Sequence, residues 1–176
     1  ALPMMFGMSI QAISMIIDTA FVGRMIGGSA LASLGYVFPF IFILMGITFG
    51  LGSGATTVIA QFIGANDKKN ADNASEHTIL LGLLLSIIII IIGFNYGDRF
   101  LKMQGADNNT ILMALDYFHI MVGGSIFMVL SIFFRSIMSG VGEVMFPMIV
   151  MGIGTIINII LDPILIYHYQ IAGAAL

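Results

Sequence analysis

The chain contains no cysteine, no tryptophan and very little charge. Without cysteine it forms neither disulfides nor thiolate metal centres, whichever compartment it occupies. Without tryptophan, the residues left to anchor it at a membrane–water boundary are Tyr, Phe, Lys and Arg. Only 9% of the 176 residues are charged, against about 25% in an ordinary soluble domain. A chain so poor in charge cannot clothe a globule in a water-compatible surface. Its six basic residues are scattered and the net charge is −3, which excludes the clustered basic face that nucleic acid requires. The first apolar segment has no basic residues ahead of it. It therefore does not read as a secretory signal, and the natural chain is expected to begin further upstream.

What the chain has instead is apolar length. It is 59% hydrophobic, with a mean hydropathy of +1.08. The apolar runs are long and continuous, unlike the short alternating strands of a membrane barrel. Crossing the hydrocarbon core takes about 20 apolar residues in a helix. On that rule the sequence holds five spans, at about 1–24, 34–62, 77–96, 110–138 and 143–169. The residues 171–176 read as the start of a sixth. Gly, Asn and Asp clusters at 27–29, 64–70, 97–109 and 139–142 supply the turns, because they offer backbone conformations and local hydrogen bonds outside the helix. The fold class is thus all-α: a polytopic membrane helix bundle.

Charge does not orient it. Lys68, Lys69 and Arg135 fall on one side of a five-span arrangement, while Arg24, Arg99 and Lys102 fall on the other. The positive-inside rule counts only Lys and Arg, and the count is tied. Gly46, Gly50 and Gly54 recur every four residues on one face of the second span. Small residues at that spacing let membrane helices approach closely, so this face is expected to pack against a neighbour. A phosphate loop is excluded there, since no Gly-Lys-Ser/Thr follows and the segment is apolar.

Two acids stand out because lipid tolerates them least. Asp18 lies in the apolar run 4–22, and Asp162 closes the stretch 144–162 just before Pro163. A carboxylate at bilayer depth costs at least roughly 2.5–3.5 kcal/mol, so such groups are expected to face a cavity or a partner. Asn158 precedes Asp162 by four residues, and the two share a helix face. A carboxylate and an amide carbonyl are the oxygen ligands a hard cation favours. Pro163 has no N–H and clashes with the carbonyl of Ile159, so it is expected to loosen the fifth span and free a carbonyl for a cation such as Na⁺. Asp18 sits six residues before Arg24, about 9 Å along a helix, deep enough to be desolvated and near enough to exchange protons. Gln11 lies seven residues earlier on roughly the same face and is a weaker cavity-lining candidate, as is Tyr117. His77, His119 and His168 lie in different spans without metal-ligand spacing. Arg135 and Glu143 are expected to pair in the loop or to meet lipid.

The residues Asp18-Thr19-Ala20-Phe21-Val22-Gly23, Ala30-Leu31-Ala32 with Gly35, and Gln61 with Gly64-Ala65 form the first part of a larger pattern. It continues through Arg135, Gly140, Gly142, Pro147-Met148, Asn158, Asp162-Pro163 and Gly173-Ala174-Ala175. The whole resembles the multidrug and toxic compound extrusion (MATE) family. That resemblance implies a transporter of two six-helix lobes, of which this chain would be five transmembrane helices of the amino-terminal lobe. It further implies a non-enzymatic antiporter of the cell membrane, exporting organic cations and amphipathic drugs against Na⁺ or H⁺ by alternating access, with no cofactor. Asp18, Asn158 and Asp162 match the amino-lobe cation site of the branch related to DNA-damage-inducible transporters. The sixth span and the carboxy-terminal lobe of the parent chain would be its missing partners.

Other readings remain beside it. A lipid-linked sugar flippase of the same superfamily would need cationic cavity residues, whereas these buried charges are acidic. An intramembrane aspartyl hydrolase could use Asp18 and Asp162, but neither lies in a Gly-x-Gly-Asp context.

Overall fold

In a computed structural model of the chain, residues 28–105 and 108–169 are described. They form four helices: α1 (Gly28–Gly64), α2 (Lys68–Met103), α3 (Asn108–Gly140) and α4 (Met145–Tyr169). Among the described residues there is no strand. An apolar solvent offers the backbone no hydrogen-bond partners, so a spanning segment must satisfy its own N–H and C=O groups, as a helix does. Ala32–Gly64, Lys68–Met103 and Ile111–Gly140 are each long and apolar enough to cross a membrane. The expected span over 1–24 and the start of a sixth at 171–176 lie outside the described residues.

The helices outrun the apolar windows. α2 has 36 residues, about 54 Å at 1.5 Å per residue, and the hydrocarbon core takes only about 30 Å. It begins at Lys68 rather than near His77, so its polar first turns continue the helix beyond the apolar stretch. Hydropathy marks where a helix is apolar, while hydrogen bonding and caps decide where it stops. Here Asp67 caps α2, its Oδ1 accepting from Asn70 N at 3.1 Å. Asn66, at φ 58°, takes the left-handed turn that closes α1, a conformation Asn tolerates better than most residues. Gly142, at φ 88°, makes the turn into α4, and the Glu143 carboxylate accepts from Met145 N at 2.9 Å and Phe146 N at 3.0 Å. The helix N-terminus favours an acid there for its unpaired N–H groups and its dipole.

Three prolines lie within the described helices, of which Pro147 is in the first turn of α4 and removes no intrahelical bond. Pro39 sits inside α1, where it removes the bond to the Gly35 carbonyl. Past Asp162 and Pro163, α4 continues as helix to Tyr169. The fifth span expected over 143–169 therefore stays helical past the proline expected to loosen it. A single lost bond is tolerable in a membrane helix whose neighbouring turns stay paired.

The described residues divide into two compact units, and α1, α2 and α3 each contribute a segment to both. In one unit (28–39, 93–105, 108–121 and 148–169), Leu101, Ile111, Ala114, Tyr117 and Phe118 are buried. Gln104 Nε2 donates to the Tyr36 carbonyl at 2.8 Å, tying the start of α1 to the end of α2. A Cβ on Gly97 would lie within 2.9 Å of two Phe118 ring carbons, so that glycine lets the ring pass.

The second unit (Phe40–Ile92 and Val122–Pro147) is built on Leu44, Val129 and Phe133, with Phe40, Leu85, Ile89, Met128 and Ile132 packed round them. Within it, Gly52 meets Ser136, Thr56 meets Ser136 and Ile59 meets Gly140, so α1 and α3 run parallel here. From α2, Gly82 approaches Phe133 and Leu130. Buried hydroxyls are satisfied along their own helices: Thr48 donates to Leu44 O, Ser86 to Gly82 O and Ser125 to Val122 O, each at 2.7 Å.

The glycine stripe behaves otherwise than its spacing suggests. A Cβ added at Gly46, Gly50 or Gly54 meets nothing within 4 Å. Close approach is made instead at Gly52, Gly82, Gly97 and Gly140. A spacing of four defines a face but says nothing of which face has a partner.

Candidate functional site

α4 carries the expected cation ligands. It is apolar almost throughout, with Ile153, Ile156, Ile157, Ile160, Leu161 and Ile164 exposed. Asn158 interrupts this surface and is itself exposed. Asp162 follows one turn later in the same helix, about 6 Å along the axis. The Asp162 side chain, together with Asp18 and Gln11, lies outside the described residues. Tyr117, the other candidate for the cavity wall, is buried at 8% exposure.

A third polar residue shares this helix face. Thr155 is half-buried and donates to Met151 O at 3.0 Å. Residues 155, 158 and 162 stand at i, i+3 and i+7, a spacing that keeps them on one side of a helix. Hydropathy passes over a threonine, whereas the spacing from Asn158 and Asp162 would have found it. The hydroxyl's proton is turned back to its own helix, which leaves the oxygen lone pairs as acceptors. The face thus presents a hydroxyl oxygen and an amide on an apolar helix, with a carboxylate one turn further along the chain. Those are oxygen donors suited to a hard cation or to holding a proton.

Several other titratable groups are engaged away from this face. Lys102 Nζ pairs with Asp98 Oδ2 at 2.6 Å on the exposed surface of α2. His119 stacks on Phe94, ring centroids 5.1 Å apart and planes within 3°, and presents an edge to Phe118 at 6.3 Å. The Nδ1 of His77 lies 2.9 Å from the Asn73 carbonyl. Asp116 is exposed and lies two turns inside α3. Glu143 is occupied by the cap of α4 and does not pair with Arg135, so of the two readings the sequence offered, loop ion pair or lipid contact, the ion pair does not form. The guanidinium of Arg135 lies instead over the Phe49 ring, 5.7 Å from its centroid. A main-chain cap draws the acid because two unpaired N–H groups lie within its reach, while the arginine stands on the helix before the turn. Among the described residues, no three His, Asp or Glu side chains cluster to hold a metal.

Comparison with known proteins places these features in a wider setting. The MatE family profile matches residues 3–164. The multidrug export protein MepA of Staphylococcus aureus is 30% identical over 178 residues, covering 100% of this chain and 40% of that protein. The probable multidrug resistance protein YoeA of Bacillus subtilis is 28% identical, covering 93% of this chain and 35% of its own length. Among solved structures, the outward-facing conformation of a multidrug resistance MATE family transporter superposes with a TM-score of 0.94 at 34% identity, over 99% of this chain and 39% of that one. An inward-facing conformation of such a transporter gives 0.90 at 34% identity, over 98% and 40%. The chain therefore spans about 40% of the length of the relatives it matches.

Proposed function

The chain belongs to the MatE family of multi-pass membrane transporters, and from that premise we propose that it is the ion-coupling half of a secondary multidrug exporter. The protein of which it is a part moves organic cations and amphipathic drugs outward while Na⁺ or H⁺ moves inward. Asp18, Asn158 and Asp162 hold the coupling ion. The observation that carries this reading is the exposed amide of Asn158 on an otherwise apolar α4, one turn from Asp162. An apolar helix facing lipid or packed core has no use for either group, and burying them is costly unless they bind something.

The mechanism follows from charge. A carboxylate in a dry cavity is disfavoured when ionised, and a bound cation or proton relieves it. Ion occupancy thereby biases the protein between a state open to one side and a state open to the other. A ligand shifts such an equilibrium only by its differential affinity for the two states. Relatives have been solved in both inward-facing and outward-facing conformations, which supports a two-state cycle for the parent of this chain. The adaptable side chains needed to receive drugs of varied shape are abundant, with fourteen methionines in the sequence.

The test is efflux of a fluorescent cationic dye from proteoliposomes holding the full-length parent, under separate Na⁺ and pH gradients. Asp18→Asn and Asp162→Asn are each expected to abolish gradient-driven efflux while leaving a folded, monodisperse protein. Wild-type rates in both variants would sink the proposed site. The gradient that drives the wild type identifies the ion.

A further inference from the structure

We propose that Arg135 and Phe49 form a seat for the phosphodiester headgroup of a membrane lipid, a role separate from the ion site of α4. Arg135 is half-buried in α3, five residues before its end at Gly140. The depth can be read from α2, which is polar from Lys68 to His77 and apolar from Ile79 to Phe94. Gly82 of that helix lies against Phe133, so Phe133 is level with a point about 7.5 Å beyond His77, in the apolar part of α2. Arg135 stands two residues back towards that stretch, at the boundary where headgroups meet hydrocarbon.

The side chain does not turn back towards the polar end. Side chains lean towards the start of their helix, and α1 and α3 run parallel in this unit. Phe49 precedes Gly52, the residue of α1 that meets Ser136 and Ile132, so its ring lies on the hydrocarbon side of Arg135. The guanidinium over that ring is thus held inward rather than released to water. The ring attracts the positive charge but offers no lone pair to five N–H donors in the guanidinium plane. Among the described residues no carboxylate pairs with it, since Glu143 caps α4 and the ion pair that forms is Lys102–Asp98.

The surroundings are open and apolar. Phe49 is 44% exposed and Phe134 is 52% exposed, so a lipid can lie against both. A guanidinium with a free fork at this depth matches the paired oxygens of a phosphodiester. The acyl chains of the same molecule would then run along α1 past the exposed Phe42, two turns before Phe49 on the same face.

The experiment uses the full-length parent purified in detergent. Retention of phosphatidylglycerol, phosphatidylcholine and a diglucosyl diacylglycerol is measured by native mass spectrometry, with inorganic phosphate as competitor. Both phospholipids should be retained and the phosphate-free glycolipid should not. Free phosphate should fail to displace either, because the acyl chains contribute to binding. Arg135→Gln should weaken phospholipid retention on the order of tenfold, the usual worth of hydrogen bonds to a charged group. Arg135→Lys should keep part of it and Phe49→Leu should lose a smaller part. Equal retention by Arg135→Gln and wild type would overturn the proposal, as would equal retention of glycolipid and phospholipid. If Arg135→Gln does not fold, Arg135→Lys decides by the same ratio of phospholipid to glycolipid. An arginine neutralised by a carboxylate elsewhere in the parent would lower stability in every lipid alike without changing that ratio, and this too would overturn it.

Discussion

Two faces of α1 both carry small residues and stand in opposite circumstances. On one, Gly52, Thr56 and Ile59 close against Ser136 and Gly140 of α3. On the other, Gly46, Gly50 and Gly54 look into open space. Both faces carry small residues at helical spacing, and by sequence the second is the more regular. The difference lies in the partner. Where α3 presents its own small residues, Ser136 and Gly140, two backbones can come close enough for the Thr56 hydroxyl, 2.9 Å from the Ser136 carbonyl, to donate across the gap. Close contact in lipid comes from mutual fit and interhelical hydrogen bonds rather than from a hydrophobic force between helices. A regular stripe on one helix is therefore only half of a packing signal.

That contrast predicts a graded series of substitutions, measured as thermal unfolding of the parent protein in detergent. Gly140→Val should have the largest effect. Even a first Cβ there would lie 2.8 Å from Ile59 Cβ and 3.1 Å from the Thr56 carbonyl oxygen, and backbone cannot swing aside as a side chain can. Overpacking of this kind costs about 1–3 kcal/mol, and a variant as stable as wild type would show that the seam is loose. Thr56→Val should come next, at about 1 kcal/mol for the lost bond to Ser136. Its threonine proton is shared with Gly52 O at 3.1 Å, so an effect as large as that of Gly140→Val would mean that the hydroxyl, not the fit, holds the seam. Gly50→Ala should be the mildest and of opposite sign, raising stability by up to about 1 kcal/mol through helix propensity. If Gly50→Ala instead destabilises as much as Gly140→Val, the open face is covered in the full-length protein and the contrast dissolves.

Much of the architecture was legible in the sequence because a bilayer leaves a chain few choices. Long apolar runs must be helices, and the Asn66-Asp67 and Gly142-Glu143 pairs mark where helices change direction through a left-handed turn and a capping acid. Apolarity does not mark the ends, since α2 begins at Lys68 and runs through a mostly polar stretch ahead of the apolar span expected from about 77. The candidate site was legible in part. Asn158 and Asp162 were found from their spacing and from the cost of acids in lipid, while Thr155 on the same face was missed because a threonine raises no alarm on an apolar scale. The fate of Glu143 was also hidden. A loop acid near an arginine suggests an ion pair, but two unpaired N–H groups at the start of α4 are nearer and fixed in place.

By itself the sequence determined that this is a helical membrane protein, which follows from composition and periodicity acting on every residue locally, and its motifs carry the match to the MatE family. Only the tertiary structure decided which glycines are pressed against a partner, that Arg135 rests on Phe49 rather than on Glu143, and which face of α1 is left open. Those outcomes depend on side chains from different helices, which can stand eighty residues or more apart, as Thr56 and Ser136 do. No local pattern in one helix records what the other presents to it.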